Sequence, residues 1–132
     1  MTPATAGPGL SQIGQIFINV QDVERAVKFY RDTLGIKFLF HAPPNLAFFD
    51  CGGIRLMLGS ADKPELNHPA SIIYYKVADI QAAHQTLKSQ RVDFISAPHL
   101  VAKMPDHDLW LADFRDSEEN VLVLMSEIPR SD

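Results

Sequence analysis

Asn19-Val20-Gln21-Asp22-Val23, followed by Ala26, recurs 57 residues later as Lys76-Val77-Ala78-Asp79-Ile80, followed by Ala83. A β-rich run precedes each copy: Ile16-Phe17-Ile18-Asn19-Val20 and Ile72-Ile73-Tyr74-Tyr75-Lys76-Val77. After each copy the apolar period changes from two to that of a helix. Val23, Ala26, Val27, Tyr30 and Leu34 keep the helical spacing in the first copy, and Ile80, Ala83 and Leu87 keep it in the second. Asp22 and Asp79 stand where a carboxylate can accept from the unpaired N–H groups of a first helical turn. Gly35 supplies a left-handed residue to end the first helix.

Strand signals follow each helix. In the first half they are Lys37–His41, Leu46–Asp50 and Ile54–Leu58, separated by Pro43-Pro44-Asn45 and Cys51-Gly52-Gly53. In the second they are Val92–Ser96, extending through Leu100-Val101, then Leu109–Phe114 and Val121–Ser126. Each half reads strand–helix–strand–strand–strand. The expected organisation is a disordered tail over 1–11 and one domain over 12–128, made of module one (12–60) and module two (70–128). One half of about 60 residues buries too little surface to be stable alone. The fold class is therefore α+β: two paired βαβββ modules forming a curved mixed sheet around a cavity. Alternation places Ile16, Ile18 and Val20, with Ile73, Tyr75 and Val77, beneath the helices. Gln15, Phe17, Asn19 and Ile72, Tyr74, Lys76 then face the cavity. A slip of one residue would reverse every one of these assignments.

Composition bounds the function. The 132 residues are 46% apolar and 21% charged, which is ordinary globular usage. No run approaches the ~18 apolar residues of a membrane span, and Met1–Leu10 lacks the basic and apolar segments of a signal peptide. A net charge of −4 without clustered Lys or Arg gives no footprint for nucleic acid. The expectation is no nucleic-acid partner, no membrane and a cytoplasmic protein, because the single cysteine, Cys51, forms no internal disulfide and reads as a small buried hydrophobe. The acidic excess sits in Asp106, Asp108, Asp113, Asp116, Glu118 and Glu119 and reads as solvated turns flanking a strand.

Two segments carry a resemblance. Ile18 to Gly35, with Asp22-Val23-Glu24-Arg25-Ala26-Val27-Lys28-Phe29-Tyr30 and Leu34-Gly35, resembles the D-x-x-R/K-A/S-x-x-F-Y-x-x-x-L-G signature of the vicinal oxygen chelate superfamily. That group contains glyoxalase I, bleomycin-resistance proteins, extradiol dioxygenases, fosfomycin-resistance enzymes and methylmalonyl-CoA epimerase. Phe114-Arg115-Asp116-Ser117-Glu118-Glu119-Asn120 resembles its F-x-D-P-D-G-N, with Ser117 and Glu119 in place of Pro and Gly. The resemblance spans roughly residues 12–128. It implies the paired βαβββ fold with a pocket, a homodimer, and in the enzymes a divalent metal held by four side chains. Carried over position by position, those side chains are Gln15, Leu56 or Met57, Ile72 and Val123. Only Gln15 offers a hard donor, whereas such cations need carboxylate, imidazole or oxygen ligands, about three even in an open catalytic site. The expectation is no metal and no other cofactor.

The resulting reading is a small-molecule-binding protein that lacks the usual metal ligands and takes an apolar or aromatic ligand in the sheet cavity. Gln15, Phe17, Asn19, Phe49, Tyr74, Lys76 and Trp110 are its candidate ligand-binding residues, a mostly apolar set with a few polar groups. The alternative is a metal-dependent lyase, isomerase or dioxygenase on a shifted site. It would use His99 and His107, eight residues apart across a turn and able to face each other on paired strands. His84 reads as a partly exposed helix residue, and His41 and His68 as residues of connections. Whether the chain is an enzyme stays open at this point. No G-x-S-x-G, phosphate loop, CxxC or dinucleotide fingerprint is present.

Overall fold

The computed structural model describes residues 7–61 and 64–130. Of the expected tail, residues 1–6 lie outside the described part, and 7–11 hold neither helix nor strand. Module one runs β1 (Gln15–Asn19), α1 (Val23–Lys28), β2 (Lys37–Ala42), β3 (Leu46–Cys51) and β4 (Ile54–Gly59). Module two runs β5 (Ile73–Lys76), α2 (Ile80–Ser89), β6 (Asp93–Phe94), β7 (His99–Lys103), β8 (His107–Arg115) and β9 (Val121–Pro129). Both caps form as the sequence requires. Asp22 accepts from the Arg25 amide and Asp79 from the Ala82 amide, each at 3.1 Å. The first helix widens at its exit, continuing as a π-helical turn over Phe29–Thr33, where Leu34 N–H reaches Phe29 O at 2.9 Å. Gly35 follows at φ 72°, the left-handed conformation expected of it.

The α+β class and the two modules are as read from the repeat. The strands divide into two hydrogen-bonded sheets, β1-β4-β3-β2 and β5-β9-β8-β6, with β7 also on β8. In each sheet the first strand lies parallel to the last and the rest are antiparallel. The segment expected as one strand from Val92 through Val101 is two, β6 and β7. Ile95 and Ser96 both direct their amides to the Asp113 carbonyl, at 2.8 and 3.2 Å, and Pro98 has no amide to continue the ladder. His41 is in β2 rather than in the connection.

The helices cover one face of each sheet, and one core joins the two modules. Ile18, Val20, Tyr30, Phe49, Leu56 and Leu58 from module one meet Ile80, Leu87, Ala112, Phe114, Leu122 and Leu124 from module two, all buried. Phe49 therefore belongs to the core and not to the opposite, open face, where it was expected. Trp110 shares its strand parity with the buried Ala112 and Phe114 and packs against the same core. The open-face residues at these places are Phe48, Leu109 and Leu111.

The acidic turn also departs from expectation. Asp116 and Glu118 are 5% and 7% exposed, not solvated. Asp116 accepts from Tyr30 Oη (2.7 Å), Glu118 N–H (2.7 Å), Asn120 N–H (2.8 Å) and Asn120 Nδ2 (3.0 Å). Glu118 accepts from the Gln21 and Asp22 amides, both at 2.9 Å, and from Arg25 Nε (2.7 Å) and Nη2 (3.0 Å). A turn of module two thus caps the first helix of module one with a carboxylate at its positive end.

Candidate functional site

The open faces carry the polar and aromatic groups that the core excludes. Partners in adjacent strands share a face, so the ladder of module one defines three rows. Gln15 adjoins Arg55, then Asp50 and Lys37; Phe17 adjoins Met57, then Phe48 and Phe40; Asn19 adjoins Gly59, then Leu46 and Ala42. The aromatic row is tight, with the Phe40 and Phe48 rings stacked at 4.9 Å. Arg55 lies over Phe48, its guanidinium carbon 5.5 Å from the ring centroid, a cation–π arrangement. Arg55 Nε donates to Gln15 Oε1 at 2.9 Å, and Gln15 Nε2 reaches Met57 Sδ at 3.6 Å. A cavity of about 450 Å³ opens beside this row, lined by Phe17, Pro44, Asn45, Leu46 and Met57.

The open face of module two is more charged. Tyr74 adjoins Val123 and Asp113; Lys76 adjoins Met125, Leu111 and His99. Lys76 Nζ pairs with Glu127 at 2.7 Å and holds that carboxyl below its ordinary range. Glu127 lies 3.5 Å from His107 Nε2, and His107 Nδ1 meets Asp106 at 2.7 Å. Ile72 and Tyr74 are 53% and 52% exposed. These two residues, one just before β5 and one in it, present apolar surface outward rather than to a neighbour within the described residues.

Of the expected ligand-binding residues, Gln15, Phe17, Asn19, Tyr74 and Lys76 stand on the open faces, while Phe49 and Trp110 do not. Asn19 is engaged at its site: Nδ2 donates to Asn67 Oδ1 at 3.3 Å, and Oδ1 accepts from the Ala61 amide at 3.1 Å. His99 and His107 are not brought together. His99 is opposite Leu111, four residues along β8 from His107, roughly 13 Å at ~3.3 Å per residue. His99 Nδ1 instead meets its neighbour's Ala97 carbonyl at 2.9 Å.

At the four positions carried over for a metal, register selects Met57 over Leu56, since Leu56 is buried on the helix side. The set is then Gln15, Met57, Ile72 and Val123. Its one hard donor atom, Gln15 Oε1, already accepts from a guanidinium. One amide and one thioether do not fit a hard divalent cation. Among the described residues, no three His, Cys, Asp or Glu side chains gather as a metal group.

Arg55 was missed by the sequence reading, although it is the single charge in the strand Ile54–Leu58. A separate apolar cleft of about 380 Å³ lies on the helix side, along the seam between the modules, bounded by Leu34, Ile36, Tyr75, Ala83 and Leu87. Of the open-face residues it touches Lys76 alone.

A family model, the Glyoxalase/Bleomycin resistance protein/Dioxygenase superfamily, matches residues 12–124. No curated protein sequence matches the chain. Solved structures match throughout. A superfamily member from Sphaerobacter thermophilus is 24% identical, with a TM-score of 0.72, covering 89% of this chain and 98% of that one. Lactoylglutathione lyase from Agrobacterium tumefaciens is 18% identical (TM-score 0.71; 89% and 95% covered). TioX from Micromonospora sp. ML1 is 16% identical (TM-score 0.72; 89% and 100% covered). At these identities the likeness is one of fold. The chain belongs to the glyoxalase/bleomycin resistance protein/dioxygenase superfamily.

Proposed function

We propose that this superfamily member is a small-molecule-binding protein that takes an apolar or aromatic ligand on the open faces of its sheets without a divalent metal. The observation that carries this reading is the Gln15–Arg55 hydrogen bond of 2.9 Å. It occupies the only hard donor of the carried-over metal positions with a fixed positive charge, beside a row of Phe17, Met57, Phe48 and Phe40. Such a surface, mostly apolar with a few placed polar groups, is the chemistry of a ligand site. The exposed Ile72 and Tyr74 support a homodimer that covers these faces, since contiguous exposed apolar groups mark interaction surfaces. Among the described residues no helix is long and apolar enough to cross a membrane, and the lone thiol of Cys51 fits a cytoplasmic setting.

The test is elemental analysis of protein purified without chelator and then offered zinc, manganese, iron and nickel in turn. Sub-stoichiometric metal, lost on dialysis, is expected. A tightly held equivalent with three or more protein ligands would overturn the reading.

A further inference from the structure

Arg55 is unlike the other arginines that the structure pairs. Arg25 has Glu118, Arg31 has Asp32, Arg115 has Asp93 and Arg130 has Asp108. Arg55 has no carboxylate within 4 Å among the described residues. The nearest on its ladder is Asp50, whose Oδ1 accepts from the Gly53 amide at 3.2 Å. Its Nε is spent on Gln15 and its plane lies over Phe48. Both contacts orient the guanidinium, and neither uses the terminal nitrogens. Among the described residues those two nitrogens have no partner. They form the two-pronged edge that matches a carboxylate. The edge opens beside the stacked Phe40 and Phe48 rings and the Met57–Phe17 row.

We infer that Arg55 is the anion-holding residue of the open face, and that the ligand class is an aromatic carboxylate. Its carboxylate lies on the Arg55 fork and its ring against the phenylalanine row. This rests on the functional reading above and deepens it. In place of a metal that would gather ligand oxygens, the protein presents a fixed organic cation, aimed by Gln15 and Phe48. Gln15 is then a positioning residue for the guanidinium, and its oxygen is not available as a ligand.

The test compares 2-naphthoate with 2-naphthamide, which share the ring system and differ in charge, by titration calorimetry on the full chain. Naphthoate is expected to bind at least tenfold more tightly, with affinity falling as salt rises. Arg55→Gln is expected to weaken naphthoate by about ten- to a hundredfold and to leave naphthamide within twofold, because it removes a charge-assisted bidentate contact. Arg55→Lys keeps the charge but not the fork and is expected to fall between the two; it also serves if Arg55→Gln does not fold. Equal binding of both probes by the unmodified protein, or naphthoate binding unchanged in the Arg55 variants, would overturn the assignment of Arg55. Naphthamide binding lost on Phe48→Ala would in that case leave the aromatic site standing. Binding of neither probe would overturn both.

Discussion

Asp116–Asn120, at the tip of the β8–β9 hairpin, and Asp50–Gly53, at the tip of β3–β4, stand at matching places in the two modules. The first tip buries two carboxylates and one amide, and ties Tyr30, Gln21, Asp22 and Arg25 of the other module. The second makes a local turn: Asp50 accepts from the Gly53 amide at 3.2 Å, with Gly52 and Gly53 at φ 60° and 89°. The backbone architecture is repeated, but the inter-module lock is found at one tip. Duplication of a fold therefore does not duplicate the interactions that hold its copies together. The acidic excess of the second half is concentrated where those interactions are made.

The largest effect expected from breaking this contrast is at Asp116. Asp116→Ala leaves Tyr30 Oη and two amides without their acceptor inside the protein, and Asn120 Nδ2 with the Asn19 carbonyl alone, at a cost of about 3–5 kcal/mol. Asp50→Ala removes one exposed hydrogen bond and should cost under about 1 kcal/mol. Urea unfolding monitored by circular dichroism measures both. Equal losses would erase the distinction between the tips.

Next comes Glu118. Burial pushes its carboxyl up, but the Arg25 guanidinium, the Asp22 and Gln21 amides and the Ser117 hydroxyl outweigh that and hold it down at about 2. Its folded value lies below its ordinary value of 4.5. Its stabilisation is therefore complete above about pH 4.5 and is lost as pH falls toward 2. Allowing for the solvent around half-exposed Arg25, the contribution is about 2 kcal/mol. Glu118→Gln should cost that much at pH 7 and flatten the fall in stability between pH 4.5 and 2. A variant whose acid-unfolding curve keeps the full slope would show that other carboxylates set it.

These residues also show what the sequence could and could not reveal. The modules, both N-caps and the open faces of β1 and β5 were legible because Asp22, Asp79 and the alternating residues around them are local signals. Phe49, Trp110 and Leu56 were not. Leu46-Ala47-Phe48-Phe49, Leu109-Trp110-Leu111-Ala112 and Leu56-Met57-Leu58 are apolar on both faces, so alternation is silent there. Glu118 was misread because its partners lie 93–97 positions away, and a buried carboxylate looks like a solvated one until its donors are known. Arg55 was legible in principle, as a charge that an apolar strand can place only on its open face.

The two tyrosines near the seam sharpen the same comparison. Tyr30 Oη donates to Asp116 at 2.7 Å, whereas Tyr75 Oη is buried with no partner among the described residues. Tyr30→Phe should cost about 1–2 kcal/mol, since the bond is to a charged acceptor. Tyr75→Phe removes an unsatisfied group and should be neutral or slightly stabilising. A marked loss on Tyr75→Phe would mean that its hydroxyl has found an acceptor, and that module one has a lock of its own.

The smallest effect expected concerns the backbone of the tips. Glu119 sits at φ 71° where the superfamily pattern has glycine, and Gly53 sits at φ 89° in the other tip. A Cβ built on Gly53 would meet nothing within 4 Å, so any cost there comes from the backbone conformation alone. The left-handed region costs a residue with a Cβ about 1–2 kcal/mol, part of which glycine returns through the greater freedom of its unfolded chain. Glu119→Gly should therefore raise stability by about 0.5–1 kcal/mol and Gly53→Ala should lower it by about 1 kcal/mol, both read from the urea midpoint at constant slope. Opposite signs at two equivalent turns would show that the tips share a conformation and differ in what they grasp. A loss on Glu119→Gly would mean that the glutamate side chain contributes to the lock more than its strained backbone takes away.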